Sequence, residues 1–161
     1  MLKKIIANHC SAILLVLSAL MLAPPVSADD ADDVLALVKQ YGDLEGDLNA
    51  QAQLMRNDRV FIAGGTRQTD QAKNMAIQVA NRQASEAVNG GKTRFITTIE
   101  SPIVRVYGNV AVASFVRIFN TYPHNQPANP PSTPNWVTLV LVKEAGEWAI
   151  AHTHQSPAGQ N

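Results

Sequence analysis

The sequence predicts an α+β domain in which helices come first and antiparallel strands follow. Three observations carry this reading. Apolar residues recur at helical spacing through the first half of the chain. From Arg94 onward, β-branched runs alternate with turn signals. Between the two regimes, Asn89-Gly90-Gly91 stops a helix. A chain of 161 residues fits one domain rather than two.

Residues 1–28 have the three regions of a secretory signal peptide: Lys3 and Lys4, an apolar stretch over residues 12–23, and Val26-Ser27-Ala28 after the break at Pro24-Pro25. The apolar run is shorter than the ~20 residues that span a bilayer. Cleavage is expected after Ala28, leaving one domain over residues 29–161, periplasmic or secreted and free of the membrane once processed. Cys10, the one cysteine, falls in this leader, so the processed chain is expected to hold no disulfide, catalytic thiol or thiolate-bound zinc. Removing Lys3 and Lys4 from the 13 basic residues leaves 11 against 13 acidic ones. With no basic block and 6% aromatic residues, nucleic acid is not an expected partner.

Asp29, Asp30, Asp32 and Asp33 precede Val34, Leu35, Leu37, Val38 and Tyr41, whose spacing is helical; acids suit the positive end of a helix dipole. Gly46 followed by Asp47 predicts a helix stop and a new N-cap, with Leu48, Leu54 and Met55 facing the core from a short second helix. Residues 58–62 read as a short strand turned by Gly64-Gly65. Thr69 or Asp70 then caps a third helix, with Ala72, Met75, Ala76, Val79, Ala80 and Ala87 on one stripe. Strands over 94–100 and 103–107 are interrupted at Ser101-Pro102, which predicts a bulge or bend. Gly108-Asn109 turns the chain into a long strand over 110–119. Five prolines make 123–134 an irregular loop, and strands over 136–142 and 147–153 close the chain as a hairpin.

Within the long strand, Val112 and Val116 alternate with Ala113 and Phe115, so both faces are apolar. Helices can cover only one of them, and a homodimer through the sheet is expected to cover the other.

The closing hairpin is more specific. Gly146, Trp148, Ile150, His154 and Ser156 fall in the order Gly-x-Trp-x-Ile-x-x-x-His-x-Ser, which resembles the last strand of the nuclear transport factor 2-like superfamily, SnoaL-like branch. Glu45-Gly46-Asp47-Leu48, then Leu54-Met55 and Asp58, resembles the opening of these domains, and residues 107–112 resemble their central hairpin. The resemblance covers nearly all of residues 33–157. It implies a conical barrel in which three N-terminal helices pack in a strongly curved, mainly antiparallel sheet around a pocket. The proline-rich loop departs from the pattern.

His152 and His154 are two apart on a strand and so share a face unless a bulge intervenes; Trp148 and Ile150 are placed on that same face, toward the pocket. Such imidazoles can be structural, can act as general acid or base, or can supply two ligands of a metal site needing a third or fourth. No metal or cofactor is expected. The resemblance places Asp58 where some relatives hold a pocket acid; otherwise it is an ordinary turn aspartate. Arg105 and Arg117 lie on strands, where an unpaired charge is costly to bury; either could bind a ligand carboxylate or pair with Glu100. Tyr41 and Trp136 suit the pocket mouth or the core, and Ser156, which ends the last strand, is a further ligand-binding candidate. No phosphate loop or nucleophile elbow is present.

Three functions fit these residues: binding of a small, largely apolar molecule in the pocket; proton-transfer catalysis (isomerase, cyclase or dehydratase) by His152, His154 or Asp58; or a dimeric interaction module with an inert pocket.

Overall fold

The computed structural model describes residues 28–126 and 132–159. The leader and the middle of the proline-rich loop, with Pro127, Pro130 and Pro131, lie outside the described residues.

Helix α1 (Ala28–Asp43) carries Asp29 and Asp30 in its first turn and buries Val34, Val38 and Tyr41, one stripe at four- and three-residue steps. A 3-10 turn over Leu44–Gly46 leads to α2 (Leu48–Ala52), where Asp47 caps the helix and its Oδ1 accepts the Ala50 N–H at 3.0 Å. The second helix is shorter than expected. It stops at Ala52, and Met55 is buried from the first residue of strand β1 (Met55–Ala63) instead. Gly64 and Gly65, at φ of 54° and 76°, form the two-residue turn into β2 (Thr66–Gln68), a strand the sequence reading missed.

Helix α3 (Gln71–Val88) is capped by Asp70, which accepts the Lys73 N–H at 2.9 Å. Its inward face is not the expected alanine stripe. Gln71, Asn74 and Met75 are buried and Gln78, Val79 and Arg82 half-buried, while Ala72, Ala76, Ala80 and Ala87 are exposed. The helix rotation is set by polar anchors: Arg82 donates to the Gly46 carbonyl at 3.2 Å, pairs with Glu45 at 3.6 Å, and lies over the Phe95 ring at 4.1 Å.

Strands β3 (Arg94–Tyr107), β4 (Val110–Tyr122), β5 (Thr133–Glu144) and β6 (Glu147–Pro157) complete a curved six-stranded sheet of order β2-β1-β6-β5-β4-β3. All pairings are antiparallel except β1 with β6. The expected bend at Ser101-Pro102 is a register shift within one continuous strand, with Ser101 at φ 50°. The inner face carries Ala111, Ala113 and Phe115 of β4, Val137, Leu139 and Leu141 of β5, and Trp148 and Ile150 of β6, packed in one core with Val34, Val38 and Tyr41. Each fully buried Phe, Leu or Ile here contributes roughly 1.5–3 kcal/mol relative to exposure.

The outer face is apolar and only half-covered. Val112, Val116, Ile118 and Val140 are half-buried, while Ile103, Tyr107 and Trp136 are exposed, Trp136 by 53%. The strands thus carry apolar residues on both faces, and the three helices cover one.

Strand β6 changes the placement of the histidines. Leu141 pairs with Ile150, but its neighbour Val140 pairs with His152, so Ala151 has no cross-strand partner in β5. The extra residue reverses the alternation. Trp148 and Ile150 point inward before it; Thr153, fully buried, points inward after it. His152 and His154 do share a face, as period two requires, yet it is the outer one, opposite to that of Trp148 and Ile150. His152 lies between Val60 and Val140, and His154 between Ile62 and Thr138.

Candidate functional site

A cavity of about 70 Å³ lies between the helices and the inner face of the sheet. Tyr41 and Glu45 border it from the end of α1 and the 3-10 turn, Gln51 from α2, and Gln78 from α3. Met55, Arg59 and Phe61 border it from β1, Arg117 from β4, and Gln155 from β6. The lining is polar. Its size exceeds the roughly 10–15 Å³ that one water needs and falls well below the ~150 Å³ of a cavity that takes benzene.

The local sequence explains how two guanidiniums come to face inward. In β4 the inward series runs Ala111, Ala113, Phe115, Arg117, so Arg117 continues the core stripe at its open end. In β1 the residues between Met55, which pairs with Ile150, and Val60, which pairs with His152, form a wide irregularity. Arg59 and Phe61 leave it on the inner face, and Val60 and Ile62 on the outer one.

The two arginines are held differently. Arg117 Nη1 contacts Glu45 Oε2 at 3.3 Å, and its guanidinium lies over the Phe119 ring at 5.1 Å. Glu45 also receives the Gln51 side-chain amide at 3.1 Å and pairs with Arg82 at 3.6 Å. Arg59 is 2% exposed; Nη1 donates to Thr153 Oγ1 at 3.3 Å, and the guanidinium sits 5.0 Å from the centre of the Phe61 ring. Burial pulls its pKa below the ordinary arginine value, only partly offset by the Tyr41 phenol. Among the described residues no carboxylate pairs with Arg59. Arg59 Nε, Arg117 Nε and Gln155 Oε1 are buried without a hydrogen-bond partner in the described protein.

Of the residues singled out in the sequence, Tyr41 and Arg117 line the cavity. His152, His154, Trp136 and Ser156 do not: they occupy β6 and the paired position of β5 on the outer face. Asp58 is also outside. Its carboxylate is 69% exposed and accepts from Arg56 Nε at 2.8 Å and Nη2 at 3.0 Å, and Arg56 bridges on to Glu144. Arg56 holds the Asp58 carboxyl below the usual aspartate range. Arg105 is exposed and donates to the Val104 carbonyl. His124 is exposed in the proline-rich loop, its ring against Gly91.

The sequence reading missed Arg59, Glu45, Gln51, Gln78 and Gln155. A signal existed for Arg59, which is a charged residue alternating with Val60 and Ile62 and followed two positions on by Phe61, so its strand carries apolar residues on both faces. Arg105 and Arg117 carry the same signal. For Gln155 the signal depended on the Ala151 bulge, which no local pattern announces. Among the described residues no three His, Asp or Glu side chains gather as a metal site, and no helix is long and apolar enough to cross a membrane.

A family model described as a SnoaL-like domain matches residues 34–160. No curated protein matches the sequence. Solved structures share the fold at low identity. The hub homology domain of CaMKII from Chlamydomonas reinhardtii is 21% identical, with TM-score 0.67 over 81% of this chain and 98% of that one. An NTF2-like protein with a cystatin-like fold from Novosphingobium aromaticivorans is 16% identical, with TM-score 0.64 over 80% and 82%. A candidate ketosteroid isomerase from Shewanella frigidimarina is 19% identical, with TM-score 0.56 over 75% and 92%.

Proposed function

The chain belongs to the SnoaL-like domain family, and on that premise we propose that its cavity is the binding site of a small organic molecule. One observation carries the reading: a polar-lined cavity at the open end of the core holds two inward guanidiniums, Arg59 and Arg117, with Glu45 as the one carboxylate among its described lining residues. Small-molecule sites are concave and carry a few placed polar groups of this kind. The ligand expected from the sequence was largely apolar; a polar lining calls for a polar one. Binding is favoured over proton transfer because His152, His154 and Asp58 are outside the cavity, and the one lining carboxylate, Glu45, is engaged by Arg117, Arg82 and Gln51. Mass spectrometry of molecules released from the folded, exported protein tests this. A stoichiometric compound is expected, absent when Gln78→Trp fills the cavity. A compound retained unchanged in that variant would overturn the site.

The protein acts outside the cytoplasm, processed between Ala28 and Asp29. The support is the leader pattern over residues 1–28; the cut removes only Ala28 from α1 and leaves its buried stripe in place. N-terminal sequencing of the exported protein should begin at Asp29. A chain starting at Met1 in the membrane fraction would contradict it.

Two copies pair through the outer sheet face. The observation favouring this is the exposure of Ile103, Tyr107 and Trp136 among half-buried valines.

A further inference from the structure

We propose that the molecule bound in the cavity is a short-chain monocarboxylate, and that Arg59 is the residue that receives its carboxylate. This rests on the cavity being a small-molecule site and adds the ligand's chemical class.

The charges around the cavity do not balance. Two guanidiniums, those of Arg59 and Arg117, line it, and Glu45 is the one carboxylate among its described lining residues; Arg82, behind Glu45, also faces Glu86. Glu45 is shared by Arg117, Arg82 and Gln51, which leaves Arg59 out. Taking a cation out of water without a counter-charge is unfavourable even after relaxation. The compensation Arg59 has is small: one hydroxyl at 3.3 Å and the face of Phe61, 5.0 Å from its centre. A buried arginine held by one hydroxyl and, among the described residues, with no acid beside it is poised for an anion.

The geometry selects the anion. A guanidinium presents a planar fork that matches a carboxylate in two parallel hydrogen bonds. Phosphate sites typically add backbone N–H groups at a helix N-terminus or nest. Here no lining residue lies at the N-terminus of α1 or α3, and the Glu45 carboxylate in the lining would repel a dianion's further oxygens. Within the lining, Arg59 and Arg117 against Glu45 leave one positive charge in surplus, the complement of a monoanion. A cavity of about 70 Å³ limits the body attached to that carboxylate to a few heavy atoms.

The same imbalance distinguishes a ligand anchor from a structural arginine. An arginine that holds the fold together lowers stability when removed. One that is buried for a ligand destabilises the empty protein, so Arg59→Met, which keeps the stem and removes the charge, should melt higher than wild type after exhaustive dialysis.

The test is thermal unfolding of the processed chain at pH 7.5 and constant ionic strength, with acetate, propionate and lactate against propionamide and inorganic phosphate. The expected result is an upward shift on the order of 3 °C with propionate or lactate, none with propionamide or phosphate, and no shift in Arg59→Met. Propionamide acting as well as propionate would overturn the carboxylate while leaving a small-molecule site. Phosphate acting through Arg59 would overturn the anion class. No shift with any acid overturns the inference; a neutral compound released from the purified protein would then still support the site. Arg59→Met melting well below wild type would make Arg59 structural. Arg59→Lys keeps a charge but loses the fork, and should retain less than a tenth of the wild-type affinity for propionate.

Discussion

His152 lies opposite Val140 on the outer face of the sheet, although Trp148 and Ile150 of the same strand lie on the inner face. Ala151 alone separates the two arrangements. It is the residue that exchanges a pair of imidazoles for Thr153 and Gln155 on the inner side of β6.

Because Ala151 is the extra residue, deleting it joins Ile150 directly to His152 in unbroken alternation and leaves every other side chain on its present face. The deletion should be tolerated, at a cost of ~1–2 kcal/mol for adjusting the β1 contact. Deleting Thr138 from the regularly paired part of β5 shifts one half of that strand to the wrong face and should abolish cooperative unfolding. Circular dichroism melts of the two single deletions distinguish them. Equal loss of structure would show that Ala151 is not a free insertion.

Placement on the outer face takes both histidines out of reach of the cavity. Replacing His152 and His154 together with Gln should leave the pH dependence of ligand affinity between pH 5 and 8 indistinguishable from wild type. Titration calorimetry with the released ligand, or with propionate, measures it. A profile altered in the double variant would return the imidazoles to the site.

Acid should weaken the fold through three carboxylates. Lys143 holds Asp30 below the ordinary aspartate range, Arg56 does the same for Asp58, and the Thr93 N–H with Lys92 does so for Glu86. A carboxyl depressed in the folded state adds stability at pH values above its unfolded pKa, and that stability fades as pH falls through the lowered folded value. The loss therefore lies at and below the normal carboxylate range, with no contribution near neutrality. Asp30→Asn should flatten the acid limb of a plot of urea midpoint against pH, and a limb of unchanged slope would show that the α1 to β5 pair contributes little. The partner Lys143 is shifted up, so its share is lost only under strong alkali.

The outer face yields a concentration test. Wild-type protein should run as a dimer by light scattering at micromolar concentration. Ile103→Asp combined with Trp136→Lys, both at exposed positions, should be monomeric with a melting temperature close to that of the free subunit. Desolvating charges of either sign in a symmetric interface is expected to weaken association by ~2–5 kcal/mol. A wild-type monomer, or a double variant that stays dimeric, counts against pairing through this face.

Local and period-dependent features were legible in the sequence. Helical stripes such as Val34, Val38 and Tyr41, caps such as Asp47 and Asp70, and the turns at Gly108 and Gly146 each depend on a few neighbouring residues. The order of those elements was enough to predict an α+β domain, and the spacing of Gly146, Trp148 and Ile150 to indicate the family. Tyr41 and Arg117 border the cavity because both continue a regular core stripe. What tertiary structure decided was which face each strand turns inward after an irregularity and which distant charges meet. Arg59 depends on the irregularity opposite residues 150–152, Glu45 on a helix rotated by Arg82, and Gln155 on the Ala151 bulge. A one-residue insertion reverses a face at small energetic cost. Burial of a charge is set by partners many positions away in the chain. Neither leaves a periodic trace in the sequence, so the fold could be read from short-range pattern while the chemistry of the cavity required the assembled sheet.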